Sequence, residues 1–136
     1  MIVDASALLA ILLGEPEAAE FARLLSGSST ARISVVNYLE AAVRIDREGI
    51  VSSSQAFDGF LDESGLTLAP VTETQARIAR LAYLRFGKGR HPAGLNLGDV
   101  FAYALSKETG EPLLFKGDDF SRTDVEPAWT GPSRQS

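Results

Sequence analysis

The chain has no cysteine. Disulfides are excluded, and so are thiolate metal sites of the zinc-finger kind; a cytoplasmic location is expected. It has one histidine, too few for an imidazole-rich metal centre. Positive charge is scarce: 13 Lys and Arg against 18 Asp and Glu give a net charge of −5. That argues against a broad nucleic-acid-binding surface, which is usually basic. It does not exclude a nuclease whose carboxylates are neutralised by a divalent cation. Long apolar runs are lacking too. ASALLAILL, residues 5–13, is too short to span a bilayer. Asp4 and Glu15 flank it, and no basic residue precedes it, unlike a secretory signal. No membrane association is expected.

What is present suffices for one domain: 136 residues, 45% hydrophobic and 23% charged. Met1–Val3 reads as a buried strand ending at Asp4, and Ala5–Leu13 as a helix. Pro16 suits the first turn of a second helix, with Phe21, Leu24 and Leu25 on one face and Gly27 ending it. Arg32–Val36 is a second strand. The helix after it carries Leu39, Ala42 and Val43 on one face, with Ser34 or Asn37 as its cap and Gly49 as its stop. Ser52-x-x-Gln55 is a capping box for a helix bearing Phe57, Phe60 and Leu61, closed by Gly65.

Leu66–Val71 is a third strand, and Thr72-x-x-Gln75 opens a helix bearing Ile78, Leu81, Ala82 and Arg85. Asn96 caps a helix whose apolar face is Leu97, Val100, Phe101, Ala104 and Leu105. Gly110 and Pro112 end it. Leu113–Phe115 is a fourth strand, and Asp124–Glu126 a short fifth. Strands alternating with helices predict an α/β domain, residues 1–127. It has a short parallel sheet of about five strands with helices on both faces. Residues 128–136 are expected to be a flexible tail.

Ligands of such sheets bind beyond the carboxyl ends of the strands. Asp4 follows the first strand and Lys116-Gly-Asp-Asp119 the fourth; if those strands are neighbours, their acids meet. Glu40 and Asp99 sit at the starts of helices with apolar flanks. Each acid alone has a structural explanation. Asp4 can cap its helix, Asn37-x-x-Glu40 and Asn96-x-x-Asp99 are legal capping boxes, and Asp118 and Asp119 suit a turn. Together they change the reading. Clustered carboxylates repel, and their pKa values rise unless a cation sits among them. Oxygen ligands without cysteine suit Mg²⁺ or Mn²⁺ rather than zinc. The usual chemistry of such a site is phosphodiester hydrolysis by metal-activated water.

Three segments carry a family resemblance. IVDASALLAIL at the start, SVVNYLEAAV mid-chain, and NLGDVFAYALSKETGEPLLFKGDDF followed by TDV together resemble a PIN-domain ribonuclease. More narrowly, they resemble a VapC-type toxin of a type II toxin–antitoxin pair, over about residues 1–127. The resemblance implies a PIN-like fold and Mg²⁺- or Mn²⁺-dependent endonucleolytic cleavage of RNA. It also implies a homodimer and a cognate VapB-type antitoxin whose C-terminal segment lies across the active-site groove. It implies Asp4, Glu40 and Asp99 as site acids, with Asp4 and Asp99 binding metal directly. The fourth acid is ambiguous: many relatives carry Thr-x-Asp, whereas this chain has Lys116-Gly117-Asp118-Asp119. Asp118 is favoured, acting with Glu40 through waters, and Asp119 is its rival. Ser6 matches a hydroxyl position near the first acid.

Arg85, Lys88, Arg90 and Lys116 are candidates for holding RNA phosphates. His91, beside Pro92, is not assigned to catalysis, and Trp129, Tyr38, Phe101 and Tyr103 read as packing. Three alternatives remain. A receiver-like domain needs an acid after the third strand, where Ala69-Pro70-Val71 stands. A dehalogenase-type phosphatase needs a second Asp where Ser6 stands. A non-catalytic α/β binding module predicts that the acids are only caps.

Overall fold

Strands of two or three residues hold together here because both faces of the sheet are covered. β1 (Ile2–Val3), β2 (Arg32–Ser34), β3 (Thr67–Ala69) and β4 (Leu113–Leu114) form one parallel sheet in the order β3-β2-β1-β4. The computed structural model describes residues 1–131. The two-residue period of the strands splits the core in two. Ile2 and Leu113 point into one apolar cluster, Val3 and Leu114 into the other. α1 (Ala5–Leu12), α2 (Ala18–Ser26), α3 (Val35–Asp46) and α4 (Val51–Ser64) cover the Val3 side. α5 (Glu73–Phe86) and α6 (Leu97–Thr109) cover the other. Phe21 and Phe57 are among the largest fully buried side chains, each contributing about 1.5–3 kcal/mol.

The chain lays down β1, β2 and β3 in one direction, then crosses back to put β4 against the other edge of β1. The sheet's topological switch point therefore falls between β1 and β4. The expected neighbour relation of the first and fourth strands holds.

Several local expectations need correction. The fifth strand is absent among the described residues. Leu113 N–H donates to Glu126 O at 2.8 Å and Ala128 N–H to Leu113 O at 2.8 Å, with a single bridge to Pro127. Proline has no N–H to extend the ladder. Ala128 and Trp129, assigned to a tail, pack on the body instead. Trp129 stacks edge-on with Phe21 at 5.1 Å and its Nε1 donates to Glu20 Oε2 at 2.5 Å. Residues 132–136 lie outside the described residues.

The Ser52-x-x-Gln55 box does not form. Ile50 stands at the cap of α4 with no side-chain bond, and Ser54 Oγ donates to Asp46 Oδ1 instead. Thr72 does cap α5, accepting from Gln75 N–H at 3.1 Å, while the Gln75 side chain turns to Glu108.

Two helix faces, on α3 and α5, are also rotated from expectation, and on α6 one residue of the expected face lies outside. On α3 the buried residues are Asn37, Ala41, Ala42 and Ile45, and Leu39 is 58% exposed and Val43 53%. On α5, Gln75, Ala79, Ala82 and Phe86 are buried and Leu81 is exposed; on α6, Leu97 is 75% exposed. Small alanines let these helices approach their neighbours closely, so the core takes the alanine side and leaves bulkier leucines outside.

Candidate active site

Asp4 comes first because its position is forced. Its backbone N–H donates to Leu114 O at 2.9 Å, continuing the β1–β4 ladder past the strand end. Its Oδ2 caps α1 by accepting from Ser6 N–H at 3.0 Å. The residue is 4% exposed, and its Oδ1 is buried with no hydrogen-bond partner. A buried anionic oxygen left unmatched is costly. Ser6 serves both strand ends, because its Oγ also accepts from Lys116 N–H at 3.0 Å.

Glu40 stands one and a half turns into α3. The helix starts at Val35 with Ser34 as its cap, so the expected Asn37 capping box is not made. Asn37 does different work. Fully buried, its Nδ2 donates to Glu40 Oε1 at 2.7 Å and to Gly98 O at 2.9 Å. One amide thus fastens Glu40 to the first turn of α6. Gly98 is required there: a Cβ on it would lie 2.0 Å from Glu40 Oε2. In the sequence Asn37 reads only as a cap, not as the residue that orients Glu40. Its signal was a short amide three residues before an acid on an alanine-rich face.

Asp99 completes a true capping box: its N–H donates to Asn96 Oδ1 at 2.9 Å and its Oδ2 accepts from Asn96 N–H at 3.0 Å. Asp4 and Asp99 are therefore both caps and members of one acidic group. The two readings do not compete, because a cap uses one carboxylate oxygen and leaves the other.

The acids feel one another. Burial, with the nearby Glu40 charge adding to it, pushes Asp4 up to about 6 against the pull of Ser6. Burial lifts Asp99 to about 6 as well, aided by the charges of Asp4 and Asp119. Glu40 is raised by burial and by Asp99. Asp119 also contributes to the field at Asp99. Gly117 takes a φ of +100°, which glycine alone adopts readily. Asp118, exposed after this turn, lines a cavity with Phe115, Phe120 and Trp129.

The basic candidates are less free than expected. Lys116 Nζ is held by Glu15 and, at 3.2 Å, by Glu17. Arg85 lies 3.7 Å from Asp124 and over the Phe86 ring. Arg90 lies over Tyr83. Lys88 is exposed in the loop that leads to Asn96. His91 accepts from Ala93 N–H at 3.0 Å and packs edge-on against Phe86, a structural role.

The acid group suits a hard divalent cation. Its donors are oxygens, one of them buried and orphaned, and burial first and neighbouring charge second raise their proton affinities. Among the described residues no three acidic or imidazole side chains converge closely enough to make a metal-holding cage. An ion that keeps several waters, as Mg²⁺ does, needs no such cage.

Asn37→Ala is expected to lower activity about 10- to 100-fold, as loss of a residue orienting a site ligand does. It should also cost about 1–3 kcal/mol of stability, because Gly98 O loses a buried donor. Denaturant melts and single-turnover cleavage check the two effects.

Comparison with known proteins agrees with this fold. The family model described as "PIN domain" matches residues 1–126. Ribonuclease VapC28 of Mycobacterium tuberculosis is 46% identical over 129 residues, covering 94% of this chain and 97% of that protein. Among solved structures, VapC20 of M. tuberculosis, described as a sarcin-ricin-loop-cleaving toxin, superposes with a TM-score of 0.72 at 16% identity. That match covers 91% of this chain and 95% of that one. A toxin–antitoxin complex from Klebsiella pneumoniae gives 0.69 at 17% identity, covering 90% and 92%. A family model matched over residues 1–126 and a relative 46% identical over nearly the full length of both chains place this chain in the PIN-domain family, among the VapC ribonucleases.

Proposed function

We propose that this chain is the toxin of a VapB–VapC pair, a Mg²⁺- or Mn²⁺-dependent endoribonuclease working in the cytoplasm. The observation that carries the reading is the buried, unpartnered Oδ1 of Asp4 within an acidic group drawn from three chain segments. Asp4 and Asp99 would hold the cation, with Glu40 and Asp119 around it. A bound divalent cation supplies an acidified water and offsets the charge that develops on the phosphoryl oxygens. The protein's own part is positioning. Asn37 holds Glu40, Asn96 holds Asp99, and Ser6 ties the loop after β4 to Asp4. Lys88 and Arg90 on the loop before α6 supply positive charge for the RNA backbone.

Two apolar surfaces support the partner readings. Val35, Leu39 and Val43 form an exposed stripe on α3, the helix that carries Glu40. An amphipathic antitoxin segment with an arginine would cover the stripe and pair with the acids. A groove of about 380 Å³ between α5 and α6, walled by Ala79, Tyr83, Leu97 and Phe101, suits a second copy of the chain.

Incubation of the purified chain with labelled RNA tests the activity. Cleavage is expected with Mn²⁺ or Mg²⁺, abolished by chelator and restored on adding metal back. Cleavage that persists in chelator, or no cleavage with either ion, overturns the reading.

A further inference from the structure

We propose that the cavity next to the acidic group is the subsite for one unstacked base of the RNA, and that Asp118 reads that base as guanine. The proposal rests on the ribonuclease reading and goes beyond it to a specificity determinant. The cavity measures about 340 Å³ and is walled by Phe115, Phe120, Val125, Pro127 and Trp129. Sequence-selective proteins take single-stranded RNA this way, with a splayed base against aromatic rings and its hydrogen-bonding edge on a polar side chain.

The walls are rigid. Phe115 and Phe120 are buried and pack with ring centres 5.2 Å apart. Trp129 is fixed by Glu20 and Phe21. Lys107 and Tyr103 hold the segment that carries Val125 and Pro127 through Asp124, at 3.1 and 2.6 Å.

Among the described residues Asp118 is the one charged residue that lines this cavity. Among the described residues its carbonyl accepts from Ser121 Oγ at 2.6 Å, and no ion pair engages its carboxylate. Its neighbour Asp119 contributes to the field at Asp99. One residue therefore separates the base cavity from the acids, so a base held there belongs to a nucleotide close to the reacting phosphate.

The carboxylate decides which base. An ionised Asp only accepts hydrogen bonds. Guanine alone presents two adjacent donors, N1–H and the N2 amino group, to both oxygens at once. Adenine and cytosine set a ring acceptor beside their amino group, and uracil flanks its one N–H with two carbonyls. A bidentate match of this kind discriminates roughly 10- to 100-fold.

The test is cleavage of a random-sequence RNA pool with Mn²⁺, reading the bases around every cut by sequencing. The wild-type chain is expected to prefer guanine roughly 10- to 100-fold at one position beside the cut. Asp118→Asn should flatten that preference while cleavage at other bases persists. Trp129→Leu should weaken selection at the same position only. Asp118 is exposed, so its variant should melt with the wild type. Three results overturn the proposal: wild-type cleavage with no base preference, an Asp118→Asn variant that keeps the guanine preference, or one that loses all cleavage, which would make Asp118 part of the metal-holding group. Failure of the wild-type chain to cut any RNA defeats the ribonuclease reading itself, and this inference with it.

Discussion

Asp4→Asn is expected to lose metal-dependent RNA cleavage by at least about 100-fold and yet to melt higher than the wild type in the absence of metal at pH 7. Asparagine keeps an oxygen to accept from Ser6 N–H, so the cap of α1 survives. What it removes is a desolvated charge. In the folded chain Asp4 titrates at about 6, against 3.8 for the ordinary value. A carboxyl whose folded pKa is raised binds its proton more tightly folded than unfolded. The stability linked to that proton is therefore full below about 3.8 and is lost as pH rises through about 6.

The rise corresponds to about 3 kcal/mol by pH 7, an upper bound, since relaxation reduces it. Asp4→Asn escapes this loss, so its thermal midpoint should exceed the wild type's by about 5–10 °C at pH 7 and match it near pH 4. Melting curves across that range give the test. A variant less stable than the wild type at pH 7 would mean that the Asp4 charge is already compensated within the chain.

Gly98→Ala should be nearly as damaging by a different route. The added Cβ would fall 2.0 Å from Glu40 Oε2 and 2.2 Å from its Cδ. Alanine is the better helix former, so at an exposed helical site this change would stabilise. Here Glu40 must swing away, Asn37 loses one partner, and the site loses one acid. Activity should fall about 100-fold, and stability by about 1–3 kcal/mol. The cause is separable with a double variant. Gly98→Ala combined with Glu40→Ala should recover most of the stability without recovering cleavage, a non-additivity diagnostic of direct contact. Additive losses would show that Gly98 matters for the turn and not for Glu40.

Much of this site was legible in the chain because caps and strand ends announce themselves. Asp4 follows an apolar strand, Asn96-x-x-Asp99 opens a helix, and both features form as written. The neighbour relation of β1 and β4 then brings the loop after β4 beside Asp4.

What stayed hidden depends on which side of an element faces inward. Leu39, Val43 and Leu81 gave apolar faces the right period and the wrong direction, whereas on α6 the expected face packs into the core except at Leu97. Periodicity counts hydrophobicity, whereas close packing of helices selects small residues. Asn37 looked like a cap because its partner, Gly98 O, lies 61 residues away. Asp118 and Asp119 both follow a positive φ at Gly117, a turn whose direction the local sequence does not announce. Lys116 looked available for RNA because Glu15 and Glu17, which hold it, lie about a hundred residues earlier. Exposed leucines on α3 and α6 are themselves informative, since a chain keeps such residues outside where a partner covers them.

The central claim is that the acids around Asp4 are arranged for a divalent cation. Calorimetric titration of Mn²⁺ into the metal-free chain at pH 7, beside Asp4→Asn and Asp99→Asn, tests it most directly. Saturable binding to the wild type is expected, with only a small fraction of a proton released per site at pH 7 and more towards pH 6, because Asp4 and Asp99 lie near 6. Binding is expected to be weakened at least about 10-fold in each variant. Equal affinity in all three proteins, or no binding to the wild type, would contradict it.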